Sequence, residues 1–138
     1  MSHFTNVETK IMDLVMLKTA CEELGLQVEE DVQNLVMVRG YRGATTKADM
    51  VIRGFKTKSG KACSYDIGVQ KIGEKYQLVA DWWGIEEETG ENQQVVTQRI
   101  IQKYAVHKVK KEVEKAGFSL DAQSVEADGS VKLVARKW

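Results

Sequence analysis

The chain has 138 residues, with 43% apolar and 29% charged side chains, which is the profile of an ordinary globular domain and excludes a disordered chain. Lys plus Arg and Asp plus Glu both number 20, so no global field draws the protein to nucleic acid or an anionic membrane. A chain of this length buries roughly two-thirds of its unfolded surface and needs neither metal nor disulfide to fold.

Cys21 and Cys63 are the two cysteines; they form no C-x-x-C pair and no Cys/His cluster. The start, Met1 to Asn6, lacks the charged and apolar regions of a signal peptide. No apolar run approaches the ~20 residues that span a bilayer. The expectation is a cytoplasmic protein with free thiols and no metal or other cofactor. Proline is absent, so turns must use Gly, Asn and Asp.

In chain order, the loose alternation of Phe4, Val7, Thr9 and Ile11 predicts a strand within 3–11. Asp13 offers an N-cap for a helix running to Leu24, with Leu14, Leu17, Ala20, Cys21 and Leu24 on one face. Gly25 stands where a left-handed residue would end it. Cys21 then faces the core, with no base or cation near it to activate the thiol.

Strands are predicted at Leu26–Glu30, Leu35–Arg39, Met50–Phe55, Cys63–Val69 and Lys75–Asp81. Turns at Thr57–Lys61 and Lys71–Glu74 join the later strands as a meander. Asp81-Trp82-Trp83-Gly84 then leads into an acidic loop, Glu86 to Asn92, which reads as a solvated connection.

The strongest helix signal runs from Gln93 to Ala116 and ends at Gly117. Val95, Ala105, Val106, Val109, Val113 and Ala116 share a face expected to lie on the sheet. Val96, Ile100, Tyr104 and His107 form a second stripe on the opposite side. A helix apolar on two sides is either covered twice within the chain or offers a patch to a partner. Phe118–Glu126 and Ser130–Trp138 close the chain as a hairpin around Asp128-Gly129. The order β-α-β-β-β-β-β-α-β-β predicts one α+β domain over 1–138: an antiparallel sheet of six to seven strands with two helices on one face.

Several short stretches carry a resemblance. They are Met1-Ser2-His3-Phe4, Val38-Arg39-Gly40-Tyr41-Arg42-Gly43 followed by Lys47-Ala48-Asp49, Tyr65-Asp66-Ile67-Gly68, and Leu78-Val79-Ala80-Asp81. Gln102 to His107 and the ending Asp128 to Trp138 complete the set. Together they resemble the hypothetical chloroplast reading frame thirty-five family of cyanobacteria and algal plastids, over nearly the whole chain. The Lys56–Ala62 insertion and the acidic loop depart from the family's pattern. The resemblance implies a soluble protein of a cyanobacterial cytoplasm or plastid stroma. It supplies no reaction and no catalytic residue.

The candidate ligand residues are Arg39, Tyr41, Arg42, Lys47, Asp66 and Asp81. Arg39 to Lys47 is a glycine-containing stretch with three cations, suited to an anion such as a phosphate or nucleotide. It lacks Walker and Rossmann spacing, and the bland alternative is a β-connection whose glycines take positive φ. Gly40-Tyr41-Arg42-Gly43 matches a KH loop in letters, but such a loop joins two helices. Asp66 and Asp81 are paired carboxylates if they face one cleft, and strand-end polar groups if they do not.

His107 is a general base if Asp66 or Asp81 orients it, and a packed histidine otherwise. A metal site of His3 with His107 is a further, remote option. Trp82, Trp83 and Trp138 can stack on bases, but without a basic surface they read as core or interface.

The leading expectation is a non-enzymatic interaction domain. It docks a protein partner, or itself as a homodimer, through Val96, Ile100, Tyr104 and His107. The rival is a domain or enzyme binding a small anionic ligand at 39–47. Membrane association is not expected, and nucleic acid is the poorest fit.

Overall fold

The computed structural model of the protein describes residues 3–31, 33–125 and 131–137. The elements are β1 (Thr5–Glu8), α1 (Leu14–Glu23), β2 (Gln27–Glu30), β3 (Val36–Arg39), β4 (Thr45–Ala48) and β5 (Met50–Arg53). After them come β6 (Ile67–Ile72), β7 (Lys75–Ala80), α2 (Trp82–Thr89), α3 (Gln93–Lys115), β8 (Phe118–Val125) and β9 (Val131–Lys137). The class is α+β, as expected.

Local chemistry sets the helix ends. The Asp13 carboxylate accepts the Met16 amide at 3.0 Å and so caps α1. At the other end Gly25 takes φ 79°, the Leu26 amide reaches the Cys21 carbonyl, and the Gly25 amide reaches that of Glu22. This paired closure satisfies carbonyls that the helix leaves open. Asn92 caps α3 by accepting the Val95 amide at 3.0 Å, and Gly117 follows its end at φ 86°.

The main sheet has the order β1-β7-β6-β5-β2, antiparallel throughout. Its period-2 alternation divides the side chains into two layers. Met50, Ile52, Ile67, Val69, Leu78 and Ala80 face α1 and α3 and are buried with Leu17, Cys21, Val96 and Ile100. Val51 faces the other way and is covered by Val36, Val38 and Ala48 of the β3–β4 hairpin. Gly68 lies beneath that hairpin. A Cβ there would stand 2.6 Å from Val38 Cγ2 and 2.8 Å from Val79 Cγ1, so only glycine lets the two layers close.

Several expectations are corrected. Three α-helices, not two, lie among the described residues. The acidic stretch after Trp83 is no loop but α2, capped by Asp81 and ended by Gly90 at φ 81°. Thr45–Ala48 is the strand β4, so six strands lie between α1 and α2 where five were expected between the helices. That strand pairs with β3, which leaves only β5, β6 and β7 as the meander. Residues 63–66 are not strand. The turn at 57–61 is bracketed by an isolated Lys56–Ala62 bridge. It meets α2, because the Lys58 amide donates to the Glu88 carbonyl at 3.0 Å.

The two faces of α3 are also reversed. Val96, Ile100 and Tyr104 are buried in the core, while Val95, Ala105, Val109 and Ala116 are exposed. The larger side chains fill the space under the sheet and against α1; the valines of the other flank are left outside. Only Val106 of that flank is buried among the described residues, on a helix that also contacts the β8–β9 hairpin. The Tyr104 hydroxyl accepts the Met12 and Asp13 amides, each at 3.2 Å, and ties α3 to the start of α1. β8 and β9 pair antiparallel as expected; the Asp128-Gly129 turn lies outside the described residues.

Candidate functional site

β3 ends at Arg39, and the chain then turns back into β4 through a single 3-10 turn, Tyr41–Gly43. Gly40 opens the turn against the Phe4 ring, where a Cβ would come within 2.5 Å of Cζ. The Gly40 amide donates to the Ala44 carbonyl at 2.7 Å, and the Ala44 amide to that of Tyr41 at 3.1 Å. Arg42 sits at φ 54°, ψ 41°, the one non-glycine residue with positive φ among those described. A left-handed arginine is held by its surroundings, since its own sterics oppose that conformation.

Two buried carboxylates supply much of that hold. Asp66, wholly buried, accepts the Arg39 amide at 2.8 Å and the Arg39 guanidinium at 3.0 and 2.8 Å. Arg53 Nε adds a fourth donor at 3.2 Å, and Arg53 also pairs with Glu29 and donates to the Met37 carbonyl. Hydrogen bonding to Asp66 raises the Arg39 pKa above its ordinary value. A buried carboxylate is tolerated when its lone pairs are filled in this way.

Asp81 is 1% exposed and does two jobs. One oxygen accepts the Gly84 amide at 3.1 Å and caps α2; the other accepts the Tyr41 amide at 3.1 Å. One carboxylate thus fixes the turn and the helix relative to each other. The consequence is visible two residues on. Trp83, 48% exposed, meets the Tyr41 ring edge to face at 6.0 Å and 83°, and the Arg42 guanidinium lies 5.1 Å from the Tyr41 centroid. Both contacts have the geometry that aromatic quadrupoles favour. Trp82 points inward instead and donates its indole N–H to the Thr5 carbonyl at 3.0 Å.

Behind the corner, Gly84 lies against the Tyr65 ring, 2.8 Å from where a Cβ would be. Burial, followed by the Glu88 and Asp81 carboxylates, raises the Tyr65 pKa. Glu88 also accepts the Ser64 amide at 2.9 Å. On the α2–α3 side, Trp83 and Glu86 line a depression of about 400 Å³ with Trp82, Asn92, Gln93 and Gln94.

The structure therefore brings together two neighbouring sets, Arg39 with Asp66 and Tyr41 with Asp81, with Arg42 stacked on Tyr41. Lys47 is exposed on the outer face of the β3–β4 hairpin; it pairs with Met37 while Arg39 pairs with Thr45, which makes it a diagonal neighbour of Arg39. Asp66 and Asp81 do not share an open cleft, because their oxygens are engaged by N–H donors. His107 belongs elsewhere. It lies on the helical side of the sheet, with Nε2 2.7 Å from Glu23 Oε2, and no carboxylate of the corner orients it. Val96, Ile100 and Tyr104 are core residues and offer a partner no surface.

Neither thiol is activated. Burial pushes Cys21 up to about 12 and Cys63 up to about 11. Among the described residues no group of three or more His, Cys, Asp or Glu is placed to hold a metal ion. What the corner can do is bind. It offers a flat indole face, a stacked guanidinium, and the exposed half of a second arginine. Trp83, expected in the core or at an interface, stands 48% exposed beside Tyr41, and Arg53, bonded to Asp66, is a residue of the corner that its sequence context does not single out. The capping role of Asp81 has a local signal, an aspartate at the start of a helix.

A family model described as a protein of unknown function, DUF1257, matches residues 20–134. Proteins named "Uncharacterized protein ycf35" align over 100% of this chain and 98% of their own length. Those of Pyropia yezoensis and Guillardia theta are 31% and 30% identical, and that of Cyanophora paradoxa is 29% identical. These relatives bear out the resemblance carried by the short stretches above. No solved structure matches the chain.

Proposed function

The protein belongs to the DUF1257 family of unknown function, and from that premise we propose that it is a non-enzymatic domain binding a planar anionic ligand of the nucleotide class. The observation that carries this reading is the double role of Asp81. A buried carboxylate is costly to desolvate, and here it holds a surface turn and a helix start together. Its effect is to fix an aromatic pair and a cation at the surface before any ligand arrives, and such preorganisation lowers the entropy lost on binding.

The base stacks on the exposed face of Trp83, with the amides of Gln93 and Gln94 beside it. The phosphate meets Arg42 and the open side of Arg39, and Lys47 adds charge from the neighbouring strand. Stacking of a base on an aromatic ring contributes about 1–3 kcal/mol. The engaged carboxylates and neutral thiols support binding without turnover. The proposed setting is the plastid stroma or a bacterial cytoplasm, and no helix among the described residues is long and apolar enough to cross a membrane.

Thermal-shift assays with adenosine, inorganic phosphate, AMP, GMP and a short single-stranded RNA test the reading. The nucleoside monophosphates are expected to raise Tm more than adenosine or phosphate alone. Arg42→Ala and Trp83→Ala should each weaken the response about tenfold in midpoint concentration, equivalent to ~1.4 kcal/mol. RNA binding without nucleotide binding would reassign the ligand. No response to any of them, or an undiminished response in the double variant, refutes the site.

A further inference from the structure

The surface around Trp83 has two unlike ends. Arg42, the open half of Arg39 and Lys47 put cations on the β3–β4 side of the ring. On the α2–α3 side, the depression of about 400 Å³ has a single charged residue in its lining, Glu86. Helical spacing explains the placement. Glu86 follows Trp83 by three residues, so the two side chains are neighbours on one face of α2.

The other carboxylates of this stretch are engaged or turned elsewhere. Glu88 accepts the Ser64 amide, and Glu91 pairs with Arg99. Glu87 is exposed but takes no part in the depression. The Glu86 side chain is exposed and has neither a hydrogen-bond nor an ion-pair partner among the described residues. Asn92 lines the same depression from the start of α3. Its Oδ1 accepts the Val95 amide at 3.0 Å, which leaves the side-chain amino group as the part free to meet a ligand. The depression therefore sets a fixed donor and a carboxylate around one aromatic ring. Gln93 and Gln94 also line it, but their amides can turn to present either group and so favour no particular base.

Bases differ in the edge they show to such a surface. Guanine carries O6, N1–H and the N2 amino group side by side, an acceptor followed by two donors. That order matches an amide donor beside a carboxylate in bidentate contact. Adenine would set the N1 lone pair against the carboxylate, and cytosine its N3 lone pair. Uracil flanks its one N–H with two carbonyls. We propose, on the basis of the nucleotide reading above, that the ligand is a guanine nucleotide and that Glu86 selects the base. The guanine ring lies on Trp83, the Glu86 carboxylate accepts from N1–H and the amino group, and Asn92 donates to O6. The phosphate then meets Arg42. The polarity of the surface fixes this orientation, because the reversed ligand would set its phosphate against Glu86.

Isothermal titration of the full chain with GMP, AMP and inosine monophosphate tests the proposal. GMP should bind roughly tenfold tighter than AMP, the scale of discrimination that a bidentate contact to a base supplies. Inosine monophosphate keeps O6 and N1–H but lacks the amino group, and should fall between them. Glu86→Gln exchanges an acceptor for a donor and should bring GMP and AMP to within about twofold of each other. Glu87→Gln removes the same charge one residue away and should leave the preference intact. Both positions are exposed, and an unchanged Tm confirms that the variants fold. Trp83→Ala should weaken GMP and AMP alike, since stacking tolerates any base. Equal affinity for GMP and AMP, with both weakened by Trp83→Ala, overturns the guanine assignment and leaves the nucleotide reading standing. A GMP preference untouched by Glu86→Gln overturns the role of Glu86. Binding of none of the three nucleotides removes both readings together.

Discussion

Replacing Asp81 by Ala removes two interactions at once, and the structure sets the size of the effect. The cap on α2 is lost, which costs about 0.5–2 kcal/mol. The Tyr41 amide loses its acceptor as well, and an orphaned amide costs about 1–3 kcal/mol when water cannot reach it. Tyr41 is half-buried, so the lower part of that range applies. The total is about 2–4 kcal/mol, or a fall in Tm of roughly 6–16 °C for a chain of this size. Asp81→Asn keeps one good acceptor oxygen and should lose about half as much. Equilibrium unfolding in urea, followed by circular dichroism, reads both variants. Because Tyr41 and Trp83 are positioned by the same carboxylate, native tryptophan emission should also change in Asp81→Ala. An Ala variant within about 0.5 kcal/mol of the parent would refute the claim that this carboxylate joins the turn to the helix.

Gly68→Ala should destabilise by about 1–3 kcal/mol in urea unfolding, because the added methyl meets Val38, Val79 and Ala48 at 3.0 Å or less. Ile100→Ala should cost about 2–5 kcal/mol, and Val109→Ala, on the exposed flank, less than about 0.5 kcal/mol; the opposite ranking would restore the first assignment of the helix faces. Both thiols have folded pKa values above the ordinary 9.0, so their contribution is complete below pH 9.0 and is lost as pH rises through about 11 for Cys63 and about 12 for Cys21. Stability should therefore decline with alkaline pH above 9.0, and the slope should flatten in Cys21→Ala and Cys63→Ala, as measured by urea midpoints across that range.

Much of this fold was legible because its signals are local. Asp13 and Gly25 bracket α1, Gly117 ends α3, and Gly73 marks the β6–β7 turn. α2 was missed because Gly84 reads as a breaker and the glutamates after it as a solvated loop. The glycine sits in the helix for a reason no local pattern carries, the Tyr65 ring pressed against it. β4 was hidden by the glycines before it. The faces of α3 could not be assigned because both carry apolar residues at helical spacing. What decides between them is the shape of the space under the sheet and the reach of Tyr104 to the Met12 and Asp13 amides, 92 and 91 residues away. The ligand candidates were chosen by residue type, and their partnerships span 27 residues for Arg39 with Asp66 and 40 for Tyr41 with Asp81. Spacing along the chain holds no record of such pairings. Residue type also singled out His107, which the fold sets across the sheet from the rest.

The three indole N–H signals of Trp82, Trp83 and Trp138 are separate reporters in a proton–nitrogen correlation spectrum. Titration of the labelled protein with AMP should move the Trp83 signal progressively to saturation and leave Trp82, whose indole is bonded to the Thr5 carbonyl, in place. The same titration of Arg42→Ala should require much more AMP. A Trp83 signal unmoved at millimolar AMP, or one that moves equally with adenosine in the Arg42→Ala variant, would contradict the account of this corner as a preformed site for a planar anion.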